Sequence, residues 1–244
     1  MNLSGNTILI TGGSSGIGLA LAKRFIDLGN QVIISGRSEE KLNQIKNELP
    51  GISTFCGDLS EQENLLQLQK FIHEEFPQLN MLINNAGIQY NYHLSAESDV
   101  LSKIDYELAC NLNAPIKLTA LLLPTLEKQD LSAIVNVSSA LFMAPKKSAP
   151  VYCASKAALH NFTQSLRYQL EESKIEVYEI IPALIDTAMT AGRGKSKLSP
   201  DQLVDEFLDN FKAGRKESYI GKTKLLRILK RIAPRKAQSL LKEA

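Results

Sequence analysis

This 244-residue sequence predicts an α/β fold, a single doubly wound domain with a central parallel sheet and helices on both faces. Three observations carry the prediction. Short apolar runs alternate with segments of helical periodicity, the pattern of βαβ units. The runs are continuously apolar, as strands are when helices cover both faces of a sheet. A glycine-rich loop joins the first run to the first helix.

In chain order, NTILIT (residues 6–11) is a short apolar strand ending at glycines. LALAKRFIDLG has apolar residues at helical spacing and stops at Gly29. QVIISG is a second strand, and SEEKLNQIKNEL a helix with Ser38 as cap and acids in its first turn. GISTFCGD supplies a third strand. The helix after it opens on Ser60 and Glu63, which stand at capping-box spacing. LNMLINNAG is a fourth strand. Helices near 97–110 and 114–128, a strand at 132–138, a helix over 150–172 and a strand at 175–181 continue the alternation. No repeat or composition break interrupts it before residue 190. Residues 1–221 therefore read as one domain, and 222–244 as a basic amphipathic helix or tail.

Composition excludes several classes. A formal net charge of +2 gives no whole-molecule field for nucleic acid. Cys56, Cys110 and Cys153 have neither metal nor disulfide spacing, which predicts a reducing compartment. His73, His93 and His160 are dispersed, so no metal site is expected. With no signal-peptide pattern and no apolar stretch of membrane-spanning length, the expectation is a cytoplasmic protein. The charge is uneven: 14 Lys/Arg face 6 Asp/Glu from residue 193 onward, against 14 and 20 before it.

TGGSSGIG (residues 11–18) sits between the first strand and the first helix. Its glycines let backbone approach a pyrophosphate, and the helix N-terminus offers free N–H groups and a positive dipole end. The spacing lacks the lysine of a P-loop, which disfavours a nucleotide triphosphatase. The loop resembles that of the short-chain dehydrogenases/reductases, a Rossmann-like family, and further family marks follow in order. These are GDLS with Asp58, NNAG ending the fourth strand, CNLNAP with Asn111, IVNVSS ending the fifth strand, and YCASK with Tyr152 and Lys156. Ser139, thirteen residues before Tyr152, matches the family's serine, with Ser138 its neighbour at the strand end. The resemblance spans residues 7–190. It implies a dinucleotide held by Gly12, Ser14, Ser15, Gly16, Ile17 and Gly18, by Asp58 and Leu59, by Asn85, Ala86 and Gly87, by Pro182 and Thr187, and by Tyr152 and Lys156. A narrower likeness, in the Tyr152 helix and in DTAMT, is to little-characterised bacterial oxidoreductases encoded with lipoteichoic-acid D-alanylation genes.

Tyr152 and Lys156 share a helix face. A phenol is a poor base at neutral pH, and a nearby ammonium favours its ionised form, so the phenol pKa is expected to fall. Tyr152 is then the general acid/base between carbonyl and alcohol, and Ser139 a hydrogen-bond partner of the same oxygen. The resemblance assigns Lys156 to the nicotinamide ribose and Asn111 to a water in the proton path. Taken alone, the pair reads as a surface cation beside a ring, and the glycine loop, Asn111 and Ser139 turn the reading to catalysis. Cys153 reads as a packing residue, and His160 as a helix-surface or interface residue.

Cofactor selectivity is read at the end of the second strand. Gly36 stands where NAD-preferring relatives carry Asp, and Arg37 and Ser38 follow it. A guanidinium suits a 2′-phosphate, so NADP(H) is expected over NAD(H), with Glu39 and Glu40 keeping NAD(H) open.

Two positions depart from the family: Phe142 replaces a frequent glycine, and Ala183 follows Pro182 in place of glycine. Leu141, Phe142 and Met143 are expected to add apolar bulk near a small-molecule carbonyl or alcohol substrate. Residues 190–200 read as a lid or a plain flexible loop. In the tail, seven cations and no anion lie between 222 and 236, beside an apolar series of Leu225, Ile228, Leu229 and Ile232. A helix docked on protein, cations outward, is favoured over peripheral contact with an anionic membrane. The resemblance implies a homodimer or homotetramer. The alternative to an enzyme is a non-catalytic dinucleotide sensor or scaffold, which would need no proton donor. The glycine spacing and short C-terminal part disfavour a sugar epimerase.

Overall fold

Seven parallel strands build the sheet: β1 (Thr7–Thr11), β2 (Gln31–Gly36), β3 (Ser53–Cys56), β4 (Met81–Asn84), β5 (Ser132–Val137), β6 (Ile175–Ile181) and β7 (Glu217–Tyr219). This is a computed structural model that describes residues 1–194 and 196–243. The strand order is β3-β2-β1-β4-β5-β6-β7. Chain direction across the sheet reverses between β1 and β4, which opens a crevice at their carboxyl ends, where α/β sheets bind ligands.

Side chains of each strand alternate between two apolar layers. Ile8 and Ile10 of β1 face one layer, packed by α1 (Gly16–Asp27), α2 (Glu39–Glu48) and α7 (Pro200–Lys212). Leu9 faces the other, packed by α3 (Gln62–Glu75), α5 (Ala114–Leu126) and α6 (Pro150–Gln169). Between the layers every position of the central strands β1, β4 and β5 is buried, hence their largely apolar runs. The remaining long helix, α4 (Val100–Leu108), runs into a π-helical turn at Ala109–Asn113 and on into α5.

Three expectations need correction. The Ser60–Glu63 capping box does not form: α3 starts at Gln62, and the Ser60 hydroxyl has no partner among the described residues. Asp58 takes over the turn, its carboxylate accepting from the Ser60 amide at 3.0 Å and its carbonyl from the Asn64 side chain at 3.0 Å. Ser38, by contrast, caps α2 through the Lys41 amide. The sheet gains a strand absent from the sequence reading: β7 pairs with β6 at Glu179↔Glu217. The tail is two helices, α8 (Thr223–Ile232) and α9 (Pro234–Lys242), because Pro234 cannot continue the first. Leu226 and Ala237 bury themselves against Ala140, Met143, Ala144 and Ile181, so the tail hairpin packs on the sheet-end loop after β5. The last position of the expected 222–244 segment lies outside the described residues.

One glycine governs the first loop by packing alone. A Cβ on Gly18 would sit 2.3 Å from the Gly12 carbonyl oxygen and 2.5 Å from the Asn85 amide nitrogen. Gly18→Ala is expected to cost about 1–3 kcal/mol through this forced shift, read as a lowered urea midpoint with unchanged slope.

Candidate active site

The crevice is lined first by the turn between β1 and α1. Gly12 and Gly16 adopt φ of +64° and +54°, conformations that favour glycine, and Ser14, Ser15 and Ile17 complete the turn. The turn is tied to the end of β4. The Thr11 hydroxyl accepts from the Asn85 and Ala86 amides at 3.0 Å, and the Asn85 side chain donates to the Thr11 and Gly12 carbonyls. A Cβ on Gly12 would lie 2.9 Å from the Ala86 Cα, so the two segments meet at backbone distance.

At one end, Arg37 follows β2 and Asp58 follows β3, and Tyr106 of α4 joins them. The guanidinium donates to the Tyr106 hydroxyl at 2.6 Å, which in turn donates to the Asp58 carboxylate at 2.5 Å. Burial pushes the Asp58 carboxyl up, but the Tyr106 and Ser60 hydrogen bonds outweigh it and hold the group below its ordinary value. Burial also works against the Arg37 charge, and the Tyr106 hydrogen bond overrides it, leaving the guanidinium raised. The hydroxyls of Ser35 and Ser60 line this end without a protein partner among the described residues.

At the other end stand Tyr152 and Lys156, one turn apart on α6, both lining the crevice and both buried. The Lys156 ammonium donates to the Val137 carbonyl at 2.9 Å and lies 5.8 Å from the Tyr152 ring centre. The expected fall in the phenol pKa is not what the geometry produces. Burial pushes Tyr152 up to about 12, and the hydrogen bond with Ser139 draws it back only in part. Burial lowers Lys156 to about 8, opposed by the Glu179 charge. The phenol is therefore held protonated at neutral pH, as a proton donor must be. Ser139, buried after β5, also accepts from the Leu141 amide at 3.2 Å.

Asn111 lies in the π-helical turn, fully buried. Its side chain accepts from the Ile88 amide and donates to the Ile88 carbonyl, each at 2.8 Å, clamping the chain just past β4. Such wide turns recur at functional sites. Leu59, Asn85, Ala86, Gly87, Pro182 and Thr187 also line the crevice. Gly18, Ser38 and Asn111 stand outside its wall: Gly18 packs beneath the loop, Ser38 caps α2, and Asn111 clamps the Ile88 segment, while Ser139 lies next to Tyr152 at its edge.

Sequence reasoning missed the wall residues Ser35, Gly57, Ile88, Cys110, Ala188 and Met189, and the bridging Tyr106. Burial pushes the Cys110 thiol up to about 11, so it lines the wall as an uncharged group. Phe142 and Met143 do not form the apolar wall expected of them. They turn into the cluster beneath the tail hairpin, and Phe142 stacks on His160 at 3.9 Å between ring centres. His160 is only partly exposed. It bonds the fully buried Glu179 carboxylate at 2.9 Å. The expected lid is tied at its base: Asp186 N–H donates to the Leu198 carbonyl, and the Lys197 ammonium to the Thr190 carbonyl at 2.6 Å. Position 195 within that expected lid lies outside the described residues.

The family model for short chain dehydrogenases matches residues 6–198, which include every residue that lines the crevice. The chain belongs to the short-chain dehydrogenase family. As a member of it, the chain is 44% identical to an uncharacterized oxidoreductase of Bacillus subtilis, DltE, over 223 residues, 89% of this chain and 88% of the relative. Two solved structures share its fold. A Burkholderia cenocepacia short chain dehydrogenase in complex with NADP superposes with a TM-score of 0.88 at 23% identity, covering 99% of both chains. A Burkholderia phymatum short chain dehydrogenase/reductase in complex with NAD gives 0.87 at 18%, covering 100% of this chain and 98% of that one. The short-chain dehydrogenase fold and an oxidoreductase assignment are thus established for this chain. Among the described residues, no helix is long and apolar enough to cross a membrane and no metal-binding cluster of His, Cys, Asp and Glu occurs.

Proposed function

We propose that the protein is an NADP(H)-dependent oxidoreductase that interconverts a carbonyl and an alcohol, with Tyr152 as general acid/base. The observation that carries the reading is a buried, protonated phenol one helical turn from the Lys156 ammonium, at one end of a crevice whose other end presents Arg37. The crevice fits a dinucleotide. Gly12 and Gly16 let the turn's backbone approach a ligand over the α1 N-terminus, and among the described residues the buried hydroxyls of Ser35 and Ser60 in the crevice lining have no partner. Ser14, Ser15 and Ile17 would hold the pyrophosphate. Arg37, with no acid at Gly36, would hold a 2′-phosphate, Asp58 and Leu59 the adenine, and Asn85, Ala86, Gly87, Lys156, Pro182 and Thr187 the nicotinamide half. When bound, the reduced cofactor supplies the hydride.

Tyr152 gives its proton to the substrate oxygen in reduction and takes one back in oxidation. Ser139 orients that oxygen. Lys156, anchored on the Val137 carbonyl, places a positive charge beside the phenol and stabilises the phenolate left behind. Asn111 positions the Ile88 segment and, through it, the crevice wall. An assembly of two or four copies is part of the same proposal.

A pH profile tests the lysine's part. With Lys156 titrating near 8, kcat/KM for reduction is expected to hold below that pH and to fall above it, as the ammonium loses its proton while the Tyr152 phenol keeps its own. Lys156→Arg, which does not deprotonate in this range, is expected to remove the alkaline limb. An unchanged limb in that variant would assign it to another group.

A further inference from the structure

The tail hairpin uses only part of its apolar surface to dock. On α8, Thr223 and Leu226 are buried, while Leu225, Ile228 and Ile232 are 70%, 57% and 74% exposed. At 100° per residue these three fall within one narrow arc, next to the arc that holds Lys224, Arg227 and Arg231. The docked face explains the buried positions and leaves this second stripe unaccounted for.

A separate observation lies at the foot of the stripe. A cleft between α7, β7 and α8 is lined by Arg215, Lys224, Arg227 and Arg231, with Ile228 on its rim. Its acidic neighbours are Glu206, paired with Lys224, and Glu217, which accepts from the Tyr219 hydroxyl. Arg227 lies over the Tyr219 ring at 4.5 Å from its centre, which holds the guanidinium at the cleft mouth. Cations outnumber anions there, and Lys222, Lys230, Arg235 and Lys236 add to the excess along the hairpin, with no anion from 222 to 236.

We infer that α8 seats the protein on an anionic lipid bilayer, its Leu225–Ile228–Ile232 stripe entering the acyl boundary and the neighbouring cations meeting lipid phosphates. The charge of the stripe's border is what selects this occupant: an apolar stripe flanked by a cationic arc, in which Lys224 is paired with Glu206 while Arg227 and Arg231 add net positive charge, matches a surface with negative headgroups over hydrocarbon. A second copy of this chain would bring the same cations face to face. Seating the hairpin this way also brings to the bilayer the segment it packs on, which lies between Ser139 and Tyr152: Lys147 N–H donates to the Lys242 carbonyl at 3.0 Å. The inference rests on the hairpin alone and stands apart from the chemistry in the crevice.

Co-sedimentation of the full-length protein with vesicles of equal parts phosphatidylglycerol and phosphatidylcholine tests it, beside vesicles of phosphatidylcholine alone. Binding is expected only to the anionic vesicles, and to weaken as salt is raised. Ile228→Glu with Ile232→Glu, both exposed positions, is expected to weaken binding by about tenfold or more, with unchanged circular dichroism and thermal unfolding. Native protein that stays in the supernatant with anionic vesicles, or a variant that binds them as tightly, would overturn the inference. So would sedimentation velocity showing a native oligomer that the double variant splits, since the stripe would then be covered by a second copy.

Discussion

Tyr152→Phe is expected to lower kcat for carbonyl reduction by about 10²–10⁴, the usual contribution of a positioned general acid, while leaving dinucleotide affinity nearly unchanged. The substitution removes one oxygen and keeps the ring. The ring sits in a buried position on α6, so its packing survives. The lost group is the hydroxyl that burial keeps protonated up to about 12. Without it, the developing alkoxide has no donor within the wall, and Lys156 is committed to the Val137 carbonyl at 2.9 Å. Steady-state rates with NADPH, together with cofactor fluorescence titration, separate the two effects. A fall in affinity matching the fall in rate would indicate a collapsed crevice, and an undiminished rate would remove Tyr152 from the chemistry.

Arg37→Ala is expected to raise KM for NADPH by ~10–100-fold, from about 1.5–3 kcal/mol for hydrogen bonds to a charged group, with little change for NADH. The native protein is expected to prefer NADPH. The fold does not decide this, since solved relatives of the same architecture hold NADP in one case and NAD in another. Selectivity falls to the end of β2. There Gly36 offers no carboxylate, and a Cβ at that position would come within 3.0 Å of the Ser14 hydroxyl oxygen. Arg37 reaches the same region as a full cation, its guanidinium held by the Tyr106 hydroxyl. Equal or better use of NADH by the native protein would contradict the assignment.

The fold was largely legible because its strands are buried on both faces. Most of them announce themselves by largely apolar runs, and the glycine loop sits where a strand meets a helix. β7 was not legible: ESY is three residues of mixed polarity at the sheet edge, and it is a strand only because β6 offers it a partner. The capping box failed for a related reason. Ser60 and Glu63 satisfy a local spacing rule, but Asp58 satisfies the turn's amides first.

The residues along the crevice follow from local motifs, most at the carboxyl ends of strands, with Tyr152 and Lys156 on α6. What joins residues across the fold does not. Tyr106 meets Asp58 across 48 positions, and nothing in the spacing of α4 signals it. The His160–Glu179 pair left one trace, a glutamate inside the apolar strand IEVYEII, since a buried carboxylate requires a partner. Phe142 was misplaced because its direction is set by the tail hairpin packed beneath it.

The most direct measurement traces hydrogen to carbon. A carbonyl substrate found by screening aldehydes and ketones with NADPH is reduced in deuterated water, and the product alcohol is analysed by mass spectrometry and NMR. The account predicts protium at the carbinol carbon, carried in from the cofactor, while only the exchangeable oxygen position, served by Tyr152, takes solvent deuterium. Deuterium at that carbon would contradict it.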